Sequence, residues 1–298
     1  MAQQLPLISI VTPSYNQAQF LEQTILSVLN QDYPNLEYII IDGGSKDGSV
    51  DIIRKYADRL AYWVSEPDGG HPQGINKGFA RATGDIFAWI NSDDIYLPGA
   101  FEIAAEELAC KGGADFIYSD NISLVGSLAY RGIAPAITKY TTLYCEVNPW
   151  QETCFWTRRV HKSLGGLTES YQYAPDYDFF MRMSSQFRGR YISRPLACFR
   201  RHGSNKVEHV ADGVNIFVKT RREMARNARF QKSLLQRLWG YANGYSVLAL
   251  VYVVRMARRW RSLLTPKAER ERKRREFVEW LYRDWLVPSP KRTPPPLW

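Results

Sequence analysis

Apolar positions in the first third of the chain switch repeatedly between two periods. "LISIVTP" is a continuous β-rich run closing at Thr-Pro, and "FLEQTILSVLNQ" then sets Phe20, Leu21, Thr24, Ile25, Val28 and Leu29 at helical spacing. The unit recurs as "LEYIII", "DGGSKDGS", "VDIIRKYA"; as "LAYWV", "SEPDGGHPQG", "INKGFARA"; and as "DIFAWI", "NSDDIYLPG", "AFEIAAEELA". Four strand-to-helix units predict an α/β fold with a mostly parallel central sheet flanked by helices. In each unit the Gly- or Asp-rich residues leave the C-terminal end of the strand, the edge where open α/β sheets bind ligands. From about Ala114 the rhythm changes to short strands ("DFIYSD", "ISLVGSLAY", "ETCFWT", "YISRPLACFRRH") around one helix, "PDYDFFMRMSSQF". From about Ser204 the chain reads as helical with several long basic segments, ending in "VPSPKRTPPPLW", whose composition predicts disorder.

Charge changes this picture at one end only. The net charge of +9 is uneven: after Val218 there are 20 Lys/Arg against 6 Asp/Glu, which leaves residues 1–218 acidic. The basic end therefore needs its own partner or packing surface. Nothing accompanies the charge that matches a nucleic-acid module, so nucleic acid is not expected as a partner. Cys110, Cys145, Cys154 and Cys198 form no C-x-x-C pair and have no histidine at metal-ligand spacing, which predicts reduced thiols. "MAQQLPLISI" lacks a basic leader followed by an apolar core, so a cytoplasmic location is expected.

The loops carry the candidate chemistry. In "WINSDD", Asp93 and Asp94 follow a buried strand, where adjacent carboxylates suit a hard divalent cation that shares its sphere with phosphates. The same pair would also cap the helix beginning near Pro98, and position alone does not separate the two. In "IDGGSKDGS", Asp42 could accept from a ribose hydroxyl or a base N–H; a tight turn explains the Gly-Ser cluster equally. "TPSYNQ" stands where a GxGxxG would serve a dinucleotide. "SEPDGGHPQGINKG" is a tightly turned loop with Lys77 in the first turns of the next helix.

Taken in order, "ISIVTPSYNQAQFLEQTILSVLNQDYPNLEYIIIDGGSKDGSVDII", "EPDGGHPQGINKGFARATGDIFAWINSDD" and "YAPDYDFFMRM" resemble family 2 glycosyltransferases of the GT-A fold, over about residues 6–206. The resemblance implies a GT-A nucleotide-diphospho-sugar transferase that moves a sugar with inversion from a nucleoside diphosphate, a UDP-sugar first, to a glycan or glycolipid hydroxyl, assisted by Mn²⁺ or Mg²⁺. It puts Thr12, Pro13 and Tyr15 in the nucleotide pocket, Asp42 on the base or ribose, and Gly44, Ser45, Gly70 and Lys77 on the donor side. Asp94 becomes the first metal ligand and Asp93 the second, with His202 of "CFRRHGSN" near metal or diphosphate and Arg200 or Arg201 on phosphate oxygens. Asn91 stands where many members carry a third aspartate, and keeps a donor-side hydrogen-bonding role. Asp176 matches the family's general base, although Asp is also a favoured helix cap. Trp150, Gln151 and Asp178 fall on the acceptor side.

The implied organisation is a catalytic domain over 1–206, with a nucleotide-binding half (1–113) and an acceptor half (114–206), then a basic helical extension (207–285) and a Pro-rich tail (286–298). Leu238 to Val254 are 17 uncharged residues, short of the roughly 20 apolar residues that span a bilayer. Segment 238–285 suits either the interface of an anionic membrane, on the inner face of the cell membrane, or packing on the catalytic domain or on a second copy of the chain. Two other functions compete. A nucleotidyltransferase would carry a Gly-rich basic loop after the first strand, and a non-catalytic sugar-nucleotide binder would lack one of the acidic sites. Neither condition is met.

Overall fold

The computed structural model describes residues 5–109, 113–203, 205, 210–211, 214–263, 265–290 and 293. The predicted alternation is realised as β1 (Ile8–Ser14), α1 (Ala18–Leu29), β2 (Leu36–Asp42), α2 (Ser49–Lys55), β3 (Tyr62–Ser65), α3 (His71–Arg81), β4 (Ile86–Trp89), β5 (Ile95–Tyr96) and α4 (Ala100–Ala109). β1 is buried at all seven positions because helices cover both of its faces. α3 begins at His71, inside the stretch read as loop, with Gly70 at φ 103° allowing the sharp entry.

Next come β6 (Phe116–Val125), β7 (Leu128–Gly132), α5 (Lys139–Cys145), β8 (Phe155–Thr157), α6 (Arg158–Leu164), α7 (Pro175–Gln186) and β9 (Gly189–Arg201). The sheet runs β3-β2-β1-β4-β8-β6-β9-β5, with β7 paired to β6. The expected parallel ladder covers β3-β2-β1-β4. Beyond β4 the sheet is mixed: β8 is antiparallel to β4 and β6, β9 is parallel to β6, and β5 is antiparallel to β9. β2 and β4 flank β1 on opposite sides, so the strand order reverses there and the carboxyl ends of β1 and β4 open a crevice.

An aromatic cluster joins the two halves of the domain. Trp89, at the end of β4, lies 5.5 Å from Trp156, stacks on Phe180 at 5.8 Å and meets Phe179 edge-on at 5.9 Å. Each such pair adds about 0.5–1.5 kcal/mol beyond area burial. The cluster holds α7 against the strand that leads into "NSDD".

The C-terminal segment starts with a short hairpin, β10 (Val210–Ala211) and β11 (Val214–Asn215), then α8 (Ile216–Phe230), α9 (Leu234–Leu263) and α10 (Lys267–Trp280), the last ending in a π-helical turn, Leu281–Trp285. The apolar side of α10, expected to face either a membrane or the domain, faces the domain: Phe277, Val278, Trp280, Leu281 and Trp285 are buried with Ile95, Ile122 and Leu124. Trp285 donates its indole N–H to the Tyr96 carbonyl at 2.9 Å, and Asn30 donates to the Trp285 and Val287 carbonyls. The Pro-rich stretch after 290 lies, apart from 293, outside the described residues. Among the described residues no helix is long and apolar enough to cross a membrane. Cys145, Cys154 and Cys198 are free thiols, and Cys110 lies outside the described residues.

Candidate active site

The "NSDD" loop is held rigidly at the crevice. Thr24 of α1 donates its hydroxyl to the carbonyls of Ser92 (2.9 Å) and Asp94 (2.7 Å), and the Asp94 N–H closes on the Asn91 carbonyl. β5 separates this loop from α4, so neither aspartate caps that helix.

The two aspartates face different surroundings. Asp94, expected as the first metal ligand, is fully buried, with one carboxyl oxygen taking the Arg200 N–H (3.1 Å) and the other the Asn91 amide (3.4 Å). Burial first, then the neighbouring carboxylates of Asp93 and Glu152, hold it well above the usual carboxylate range. With the Arg200 N–H on one oxygen and the Asn91 amide on the other, the Asp94 carboxyl ties the loop to β9. Asp93 lies on the open side, its carboxylate 3.0 Å from His202 Nε2 and 3.4 Å from the Asn205 amide. The His202 ring is seated on Phe20, with centroids 4.5 Å apart. Asp93 and His202, predicted from segments 109 residues apart, are thus brought together.

Arg200 lies behind them, 5% exposed, with its guanidinium 4.7 Å over the Phe20 ring. None of its three guanidinium nitrogens meets an acceptor among the described residues. A buried cation without an acceptor costs several kcal/mol, and an anion with several oxygens would satisfy it. The corner therefore offers one carboxylate oxygen, one imidazole nitrogen and an unsatisfied guanidinium. That donor set fits a divalent cation completing its sphere from phosphate oxygens. Among the described residues no three His, Cys, Asp or Glu side chains gather into a protein-only metal cage.

On the other side of the crevice, several expected contacts turn inward. Thr12 is buried and pairs with the Tyr38 hydroxyl at 3.1 Å. Asp42 is the knot of its own loop, taking the N–H groups of Gly44 and Ser45 and the hydroxyls of Ser45 and Ser65. Oδ2 takes three of these donors and Oδ1 one, the Ser45 hydroxyl. Lys77 pairs with Glu66 at 3.0 Å. Pro13, buried with the rest of β1, faces Gly74, and Tyr15, 63% exposed, lies beside Gly43. The acid between them is Asp68, which bears on the gaps left by Gly43 and Gly74 and takes the Gly70 N–H at 2.8 Å. Sequence reasoning passed over Asp68, although "EPDGG" places it after β3 as "IDGG" places Asp42 after β2. His71 bridges to Asn91 at 2.9 Å.

Asp176 lies in the first turn of α7. The residue preceding the helix is Ala174, in the left-handed region (φ 53°), so Asp176 is not its cap. Asn148 donates to its carboxylate at 2.8 Å. Burial raises its pKa, while the Tyr177 N–H, Asn148 and, more weakly, Arg221 oppose that shift. Trp150 is half-buried beside Gly132, and its indole N–H meets no acceptor among the described residues.

Gln151, expected to meet an acceptor, points into the core. It donates to the Trp89 carbonyl at 2.7 Å and takes the Asn91 amide at 3.2 Å. Asp178 is likewise turned away, binding Thr168 (2.8 Å) and Arg182 (2.9 Å). Glu152, absent from the sequence-derived candidates, is 3% exposed, takes the Asn121 amide at 2.8 Å and is pushed up to about 7, by burial above all. Its only sequence signal is an acid heading the apolar run "TCFW".

Comparison with known proteins places these features in context. The model for "Glycosyl transferase family 2" matches residues 9–122. An uncharacterized glycosyltransferase of Mycobacterium tuberculosis is 34% identical over 180 residues, covering 59% of this chain and 68% of that protein. The chondroitin synthase of Pasteurella multocida is 28% identical over 207 residues, 67% of this chain but 21% of that one. Among solved structures, Staphylococcus aureus TarS in complex with UDP-GlcNAc superposes with a TM-score of 0.63 at 18% identity, over 80% of this chain and 71% of TarS. The mannosyltransferase PcManGT from Pyrobaculum calidifontis, in complex with GDP-Man and Mn²⁺, gives 0.54 at 17% identity, over 94% and 86%.

Proposed function

Because this chain belongs to glycosyltransferase family 2 and has the fold of the GT-A enzymes, we propose that it transfers a sugar with inversion from a nucleoside diphosphate, a UDP-sugar first, to a hydroxyl of a glycan or glycolipid. The observation that carries this reading is the corner at the β1/β4 crevice, where Asp93 and His202 lie 3.0 Å apart beside the unpartnered guanidinium of Arg200.

Asp93 and His202 would hold a Mn²⁺ or Mg²⁺ ion, which when bound offsets the charge on the departing diphosphate. Arg200 binds an oxygen of the same diphosphate. Asn91, tied to His71 and Asp94, keeps the loop in register. Tyr15, Pro13 and Asp68 line the nucleotide end. At the far end, Asp176 takes the proton of the acceptor hydroxyl while that oxygen bonds to the anomeric carbon. The anomeric C–O bond breaks on the opposite face, and the diphosphate leaves with the electron pair. Asn148 orients the base. Polysaccharide or glycolipid assembly at the surface of an anionic membrane completes the reading.

A thermal-shift and hydrolysis screen of UDP-, GDP- and dTDP-sugars with Mn²⁺ or Mg²⁺ tests it. One nucleotide sugar should stabilise the wild type only with metal, and Asp93→Ala should abolish that shift. The reading fails if no donor stabilises the protein, and the metal assignment fails if Asp93→Ala and His202→Ala leave the shift intact.

A further inference from the structure

α9 has an inner and an outer face of different character. The inner face sits on α5 through Gly240 and Gly244: a Cβ at Gly240 would overlap the Tyr144 ring, and one at Gly244 would come 2.8 Å from Cys145 Sγ. The outer face carries Leu235, Leu238, Trp239, Tyr245, Leu250 and Val253, each between 59% and 78% exposed. No charged residue occurs from Leu238 to Val254, and residues 234–254 extend about 30 Å at helical rise. An apolar strip of that length is far more than scattered surface residues account for. α10 has already buried its own apolar side on the domain, so among the described helices α9 presents such a face.

At the root of this strip, α8 and α9 enclose a cleft of about 300 Å³ lined by Arg226, Arg229, Arg237, Leu234, Leu238 and Tyr241. Arg229 is engaged by Glu146 at 3.0 Å and by the Leu143 carbonyl at 3.1 Å. Arg226 is exposed, and Nε of Arg237 is buried without an acceptor. Arg226 and Arg237 thus line an apolar-walled cleft without a carboxylate partner of their own among the described residues, Glu146 being taken by Arg229. The ligand chemistry is an anion with several oxygens joined to an apolar body.

We propose that this cleft seats the phosphate of an anionic membrane lipid while the outer face of α9 lies in the headgroup boundary. This deepens the membrane contact in the reading above and is independent of sugar transfer. Charge favours a lipid over a second copy docked through the same segment, because the chain after Val218 carries 20 Lys/Arg against 6 Asp/Glu and would repel itself.

The test is flotation of the full chain with vesicles of phosphatidylcholine alone or mixed with phosphatidylglycerol. The protein should float with the mixed vesicles only, and raised salt should weaken binding. Arg226→Glu with Arg237→Glu, and separately Leu238→Asp with Trp239→Asp, should each reduce flotation roughly tenfold or more. Thermal unfolding, and any metal-dependent donor shift, should stay at wild-type values in both variants, which separates loss of this site from misfolding or from failure of the donor reading. Three results would overturn the proposal: equal binding to phosphatidylcholine, full competition by millimolar inorganic phosphate, or a concentration-dependent dimer that the Trp239 variant abolishes without any vesicle binding.

Discussion

Glu152→Gln should make the protein more stable at alkaline pH and leave it nearly unchanged in acid. Glu152 is 3% exposed, takes hydrogen bonds from the Asn121 amide and from its own backbone N–H, and no cation pairs with it among the described residues. Burial raises its pKa from 4.5 to about 7, with the carboxylates of Asp176 and Asp93 adding smaller increments. A carboxyl with a raised folded pKa keeps its proton longer in the native state than in the unfolded one. Across the window from 4.5 to about 7 the native state therefore binds more protons, and stability falls as pH rises. At about 1.4 kcal/mol per unit, the full interval corresponds to about 3 kcal/mol, present as a deficit above the folded pKa and absent below the unfolded one.

Glutamine keeps the shape and the acceptor for Asn121 but cannot ionise. Urea unfolding followed by tryptophan fluorescence, at about pH 4 and about pH 8, should show the variant gaining about 3 kcal/mol over wild type only at the higher pH. A stability difference that stays constant between the two conditions would refute the reasoning, as would a variant less stable than wild type at pH 8.

Asp176 should give the transfer rate an acid limb with an inflection above the ordinary carboxylate range, since its pKa is raised and only the ionised form accepts a proton. Asp176→Asn should lose that limb and about 10²–10⁴ in rate while still binding donor, as read by pH–rate profiles beside a thermal shift. Gly78→Val would drive its Cβ into Val11 between α3 and β1, and should cost about 1–3 kcal/mol in thermal unfolding. Asp178→Asn breaks the pair with Arg182, whose guanidinium also ties down the carbonyls of Leu164 and Gly166. Proteolysis of segment 164–178 should accelerate, and an unchanged cleavage rate would remove this strut.

The first half of the fold was legible because each of its strands is an apolar run and each polar loop follows on the same side. Local pattern carries that information. Its failures lie where a partner is distant: β5 is two residues long and exists because Ile95 and Tyr96 pair with Cys198 and Ala197. The destination of α10 was ambiguous for the same reason. Its Phe277, Trp280 and Trp285 read equally well as membrane-facing, and only the groove around Ile95, Ile122 and Leu124 decides between the two.

At the site, motif order identified positions while the backbone decided directions. Asp93 and Asp94 are neighbours in sequence, yet one opens onto His202 and the other is sealed beneath Arg200 N–H. No spacing rule separates them, because the turn through Asn91 sets which carboxyl faces out. Gln151 and Asn91 show the same effect, since their mutual hydrogen bond and the bond to Trp89 bind the acceptor-side segment to the donor-side loop. Trp89 also stacks on Phe180 of the helix bearing Asp176. If Asp176 is the base and the Asp93 corner holds the diphosphate, as proposed, the packing of Trp89 on Trp156, Phe179 and Phe180 would help fix the distance between them, and its loss would be felt in the rate as well as in stability.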